Sequence, residues 1–134
     1  MKRLLSFVVG FFLLLGTTSP ALAHEVSAAP FAMTTDYTHT SLLTGNLTFS
    51  GGKANCSGTV TPSGNQSSSI TVKLYKKNGT KWNEVTSWSG SAENGKTAVA
   101  SGSQSVSTGT YKVVVTGNIG GGLEYPTMTI EKTY

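Results

Sequence analysis

Apolar side chains recur at every second position through much of this chain. Ile70, Val72 and Leu74 alternate with Thr71, Lys73 and Tyr75, and Tyr111, Val113 and Val115 alternate with Lys112, Val114 and Thr116. Ala54, Cys56, Gly58 and Val60 form a third such row, and Leu47-Thr48-Phe49 a shorter one. Period two puts one set on each face of a half-buried strand. Turn-formers separate the rows: Ser50-Gly51-Gly52, the polar stretch 62–69, Asn78-Gly79, residues 93–96 and the glycine-rich 117–122. Asn78-Gly79 predicts a hairpin with a type I′ turn, which needs positive φ at both central residues. Beyond it, Trp82, Val85 and Trp88 recur every three residues across 81–89, which breaks period two and requires a bulge or a helical turn. The inward row of the preceding strand then predicts Trp82 buried against Leu74, with Tyr75 turned outward and Trp88 partly exposed. Residues 97–106 read as a weak strand and 124–132 as the last, at an edge or bulged because Pro126 cannot donate to a ladder. About seven strands with regular turn signals predict an all-β, antiparallel two-sheet sandwich. A small barrel shares the pattern.

The N-terminus follows different rules. Met1-Lys2-Arg3 is basic, residues 4–15 are apolar, 16–20 break any helix, and Ala21-Leu22-Ala23 offers small residues for cleavage. This is the layout of a secretory signal peptide over 1–23. Its apolar run is too short to span a bilayer. No later stretch is long and apolar, so a soluble, secreted chain with no membrane span is expected after cleavage. A flexible leader over 24–36 and one domain over 37–134 complete the expected organisation.

Removing the first 23 of 134 residues changes the charge picture. Eight lysines, no arginine and six acids remain. A nucleic-acid reader clusters Lys and Arg, with arginine favoured for phosphate and base contacts, so no nucleic-acid partner is expected. Ser and Thr supply 33 of the 111 remaining residues, and Leu, Ile, Val and Phe only 19. A core built from so few large side chains must use small residues well.

Ser107-Thr108-Gly109-Thr110-Tyr111-Lys112-Val113 resembles the corner before the sixth strand of immunoglobulin-like and fibronectin-type sandwiches. The resemblance implies that the Tyr111 hydroxyl bonds back to the corner. Cys56 stands on the second strand, where an immunoglobulin would have one half of its disulfide, but Val113 stands where the other half would be. A single cysteine excludes the bridge. The signal peptide, Thr/Ser-rich strands, Cys56, the Lys-Lys-x-Gly-x-x-Trp hairpin and the Gly-Thr-Tyr corner together resemble small secreted β-sandwich proteins of Gram-positive bacteria. That likeness implies location and fold and supplies no activity.

Candidate chemistry is sparse. Nucleophilic catalysis needs a nucleophile, a base and an orienting group in one place, and the histidines, His24 and His39, both fall in or beside the leader. The acids Glu25, Asp36, Glu84, Glu93, Glu124 and Glu131 are scattered. No catalytic residues, cofactor or metal are assigned, and the expectation is not an enzyme. Copper is the remote alternative: a mature N-terminal His24 could chelate it with its amine and imidazole, aided by His39. The aromatics give the stronger signal. Tyr75 and Trp88 are the candidate ligand-binding residues, since exposed rings on a hairpin stack on sugars. The sequence thus predicts a monomeric, extracellular binding, adhesion or matrix module with a protein or glycan partner, or more narrowly a carbohydrate-binding module.

Overall fold

The computed structural model describes residues 31–33 and 37–134. The expected signal peptide, His24 and most of the expected leader lie outside the described residues. Eight strands follow in order: β1 (Phe31–Met33), β2 (Thr40–Ser50), β3 (Lys53–Pro62), β4 (Ser68–Asn78), β5 (Lys81–Ala92), β6 (Ala98–Ser105), β7 (Thr110–Ile119) and β8 (Thr127–Thr133). They form two four-stranded sheets, β1-β2-β3-β6 and β5-β4-β7-β8, with every pairing antiparallel. The chain is an all-β, two-sheet sandwich. Among the described residues no helix is long and apolar enough to cross a membrane.

The alternating rows form the core. Ile70, Val72, Leu74, Val113, Val115 and Ile119 face Ala54, Cys56, Val60, Ala98 and Ala100 across the interior, with Leu43 and Leu47 from β2. Cys56 is buried, burial pushes its thiol up to about 12, and it packs as a small hydrophobe.

Three expectations need correction. Phe31–Met33, inside the expected leader, pairs with Leu43–Gly45 of β2 as an additional strand. That strand is itself longer than its Leu47–Phe49 signal, because Thr44, Gly45 and Asn46 pair with β3 without supplying an apolar alternation. The β4–β5 hairpin closes on Asn78↔Lys81, so its loop is Gly79-Thr80. Only Gly79 of the pair has positive φ, at 64°, which suits a type II′ turn and not the type I′ turn expected at Asn78-Gly79. The edge position expected for the last strand is observed. Pro126 is buried just before β8, and its carbonyl accepts from the Gly117 N–H at 2.8 Å.

One end of the sandwich is organised by Tyr111. Its ring is buried, and its hydroxyl donates to the Ser107 carbonyl at 2.7 Å, four residues upstream. Phe49 packs against Tyr111 and stacks on Tyr134, with centroids 5.5 and 4.8 Å apart. The Tyr134 main chain pairs with Gly109, closing β8 onto the corner between β6 and β7. Replacing Tyr111 with Phe removes one hydrogen bond and leaves a carbonyl short of a partner, so a loss of about 1–2 kcal/mol is expected in urea unfolding, with the native fold retained.

Candidate functional site

The two tryptophans lie on opposite faces of β5, because a bulge separates them. Thr86 pairs with Leu74 and Glu84 with Tyr75, leaving Val85 as the extra residue. Counting from the hairpin loop, Lys77 opposes Trp82. Lys77 is three positions past the inward Leu74, so it faces outward and Trp82 with it. Beyond the bulge the facing inverts, and Trp88, opposite the buried Val72, turns inward.

The expectation for Trp82 is therefore overturned: it does not pack on Leu74 in the core. Its indole lies on the outer face of the β5-β4-β7-β8 sheet, with the Lys112 Nζ 4.5 Å and the Lys77 Nζ 5.8 Å from its ring centroid. Lys112 stands on β7, two strands away from β5, so the ring must reach across β4 to meet it. Tyr75 is outward and half-buried as expected, and the same Lys112 Nζ lies 5.3 Å from its ring centroid. Such contacts contribute about 0.5–1 kcal/mol each at exposed sites. One ammonium thus lies over two rings and links β4, β5 and β7 on this face.

Trp88 is half-buried, as expected, but as part of the packing. Its ring joins the core cluster and lies so close over β6 that a Cβ at Gly102 would collide with the indole nitrogen. It closes the gap between the sheets where β5 meets β6. The structure brings Tyr75 together with Trp82, not with Trp88. The missed partner was legible in the hairpin: a two-residue loop after Asn78 places Trp82 opposite Lys77.

The acids on this face share one row, Glu84–Tyr75–Lys112–Glu131, running across all four strands. Three strand spacings separate the Glu84 and Glu131 backbones by about 14 Å. Paired carboxylates in glycoside hydrolysis stand about 5–10 Å apart, and this row does not place two acids at that spacing on neighbouring strands.

At the other end of the sandwich, Glu124 ties the β7–β8 connection to the start of β2. Its carboxylate accepts from the Thr38 N–H at 2.8 Å, the His39 N–H at 3.0 Å and the Thr40 hydroxyl at 2.6 Å. Desolvation pushes this carboxyl up, but the hydrogen bonds from Thr40, Thr38 and His39, with the His39 charge, outweigh it and leave it below its ordinary value. His39 belongs to this clamp: its carbonyl accepts from the Ser63 N–H at 2.9 Å and its ring Nδ1 lies 3.5 Å from Gln66 Nε2. No group of three His, Cys, Asp or Glu is placed to hold a metal among the described residues. The clamped connection carries two exposed apolar side chains, Leu123 and Tyr125.

No protein-family model and no curated protein matches the chain. Among solved structures it is similar to the E. coli curli protein CsgC at 19% identity and a TM-score of 0.43, covering 65% of this chain and 94% of that one. It is also similar to the GAE domain of GGA2p from Saccharomyces cerevisiae, at 9% identity and a TM-score of 0.34, covering 80% and 97%.

Two outcomes follow from this geometry. Trp88→Ala should destabilise the domain by about 2–4 kcal/mol, since it opens a cavity at the junction of the sheets, while Trp82→Ala should cost about 1 kcal/mol. Chemical denaturation of the two variants gives the comparison, and equal losses would contradict the bulge register. Because the Glu124 carboxyl is depressed in the fold, it stabilises above its ordinary value of 4.5 and loses that effect as pH falls through the lower, folded value. Glu124→Gln should therefore melt below the parent at about pH 7, and the difference should shrink as pH falls below 4.5 and the carboxyl is protonated.

Proposed function

We propose that this chain is a secreted, non-enzymatic extracellular binding module of the immunoglobulin-like class, and that its ligand sits on the outer face of the β5-β4-β7-β8 sheet. The observation that carries this reading is the placement of Tyr75 and Trp82. A chain with few large apolar residues keeps two aromatic rings on its outside and braces both with Lys112. Half-buried aromatics with part of each ring open to solvent are where binding energy concentrates.

Location and class rest on separate support. The basic–apolar–small order of residues 1–23 supports export. The immunoglobulin-like assignment is supported by the Tyr111 corner and by hairpin strands that cross between sheets, β6 lying beside β3 and β7 beside β4. The non-enzymatic reading is supported by how the polar groups are employed, with Glu124 and the His39 main chain engaged in a structural clamp.

A glycan is the partner the aromatic face suits best, and the carbohydrate-binding reading moves with the rings from Trp88 to Trp82. Probing a glycan array with the purified protein and with Trp82→Ala tests it. The expected result is retention of a subset of glycans by the parent and loss of about tenfold in affinity in the variant, at an unchanged fold by circular dichroism. Retention that ignores Trp82 would move the ligand off this face.

A further inference from the structure

We propose that the end of the sandwich formed by the β4–β5 hairpin binds an acidic polysaccharide through its ammonium groups, two of which, Lys77 and Lys112, lie over Trp82. The proposal rests on the binding-module reading and names the ligand class for the hairpin end of that face and its rim.

On this face the acids are confined to one row, with Lys73 on one side of it and Lys77 on the hairpin side. The row through Tyr75 and Lys112 contains Glu84 and Glu131. Beyond that row, toward the hairpin, Lys77 shares the outer face with Lys112, while Lys76, Lys81 and Lys132 stand at the same end in the inward register of Leu74 and Tyr111, and Lys53 stands on the facing sheet. The segment 75–83 holds three lysines and no acid. The β2–β3 hairpin, the β6–β7 corner and the end of β8 lie at the same end, tied to one another through the Gly52 N–H to Tyr134 hydroxyl bond, 3.1 Å, and the Val106 N–H to Gly52 carbonyl bond, 2.9 Å. Of these segments only the end of β8 carries an acid, Glu131, beside Lys132. The Lys77 and Lys112 ammoniums lie 5.8 and 4.5 Å from one ring centroid, so they stand within about one Debye length, 8–10 Å, of each other and their fields add.

Several lysines are held in place. Lys112 lies over both Trp82 and Tyr75, and Lys77 over Trp82. Lys76 donates to the Ser107 hydroxyl at 2.6 Å and lies 5.5 Å from the Tyr111 ring centroid. Ordering a free lysine costs about 1–2 kcal/mol, and these contacts meet part of that before any ligand arrives.

The same contacts select the ligand. An ammonium already over a ring obstructs stacking of a neutral sugar or a nucleobase there, whereas an anion gains from the charge without displacing it. Lysine ammoniums are point charges on flexible stems and suit carboxylates or sulfates spaced along a hydrated polymer. The chain after residue 23 has no arginine for bidentate phosphate and base contacts. The hairpin tip is Asn78-Gly79-Thr80, with no apolar wedge to enter a bilayer.

The test measures binding of the purified protein to immobilised polygalacturonate, neutral dextran, phosphatidylglycerol vesicles and duplex DNA. Preferential binding to the polyuronate is expected, weakening about tenfold or more between about 0.05 and 0.5 M salt. Lys77→Gln combined with Lys81→Gln, and Lys112→Gln separately, should each weaken it about fivefold to tenfold with the native fold retained by circular dichroism. Lys96→Gln, in the β5–β6 connection, should leave it unchanged. Salt-insensitive binding to dextran that needs Trp82 would overturn the acidic ligand class and keep the glycan-binding reading. Vesicles or DNA bound as tightly as the polyuronate would overturn the proposal as stated. No binding to either polysaccharide, together with a blank glycan array, would sink both.

Discussion

The fold depends on small residues in one sheet receiving large ones from the other. Gly58, in the middle of β3, has Val115 and Val72 above it so closely that a Cβ there would lie 2.8 and 2.9 Å from their methyl groups. Gly45 on β2 meets Val115 and Ile130 in the same way, at 2.9 and 3.1 Å. Glycine in a strand interior sacrifices entropy and side-chain packing, so it persists where close approach repays it. Around these sockets, Ala54, Cys56, Ala98 and Ala100 keep the β3–β6 side shallow while valine, isoleucine and leucine fill from the opposite sheet. A chain with few large aliphatics reaches interior packing density by interlocking the sheets. The single buried thiol fits this logic. Cys56 occupies a small apolar site, and no cross-link is required of it.

With the middle of the sandwich fixed by interlocking, each end is closed by a polar contact. The buried Tyr111 holds its own corner through Ser107, and Phe49 and Tyr134 extend that contact to the β2–β3 hairpin and to β8. Glu124 does the equivalent at the opposite end, where three donors from residues 38–40 converge on one carboxylate. Both devices act between segments far apart in sequence, over 80 residues in the case of Glu124. They hold the connections to the rigid sheets and limit their motion.

Where alternation was strict, the sequence was legible. The rows at Ala54–Val60, Ile70–Leu74 and Tyr111–Val115 lie inward as period two dictates, and the Tyr111 motif carried its hydrogen bond. Legibility failed where partners in space supply what the local pattern lacks. Nothing in Phe31-Ala32-Met33 alternates over enough residues to announce a strand, and its pairing is set by the available edge of β2. On β5 the three-residue spacing announced an irregularity without locating it. Assigning the faces required counting pairs from the hairpin loop up to the bulge: the two-residue loop turns Trp82 outward, and the bulge at Val85 turns Trp88 inward. Glu124 was invisible as a clamp because its donors are backbone amides whose position only the fold creates.

The inversion bears on why a tryptophan should stand outside at all. A domain whose interior is filled by valine, alanine and glycine would gain from burying every ring it has, and Trp88 and Tyr111 serve that end. Trp82 and Tyr75 do not. Their rings instead lie along the sheet, leaving part of their apolar surface in water and engaging lysine ammoniums on the other part. Departures from the rule that large apolar groups are buried mark sites shaped by something other than stability. Here the departure coincides with the boundary between the acidic row and the lysine-rich end. The two features reinforce each other physically: a flat aromatic floor limits where an ammonium can go, and a fixed ammonium presents its charge at lower entropic cost than a free one.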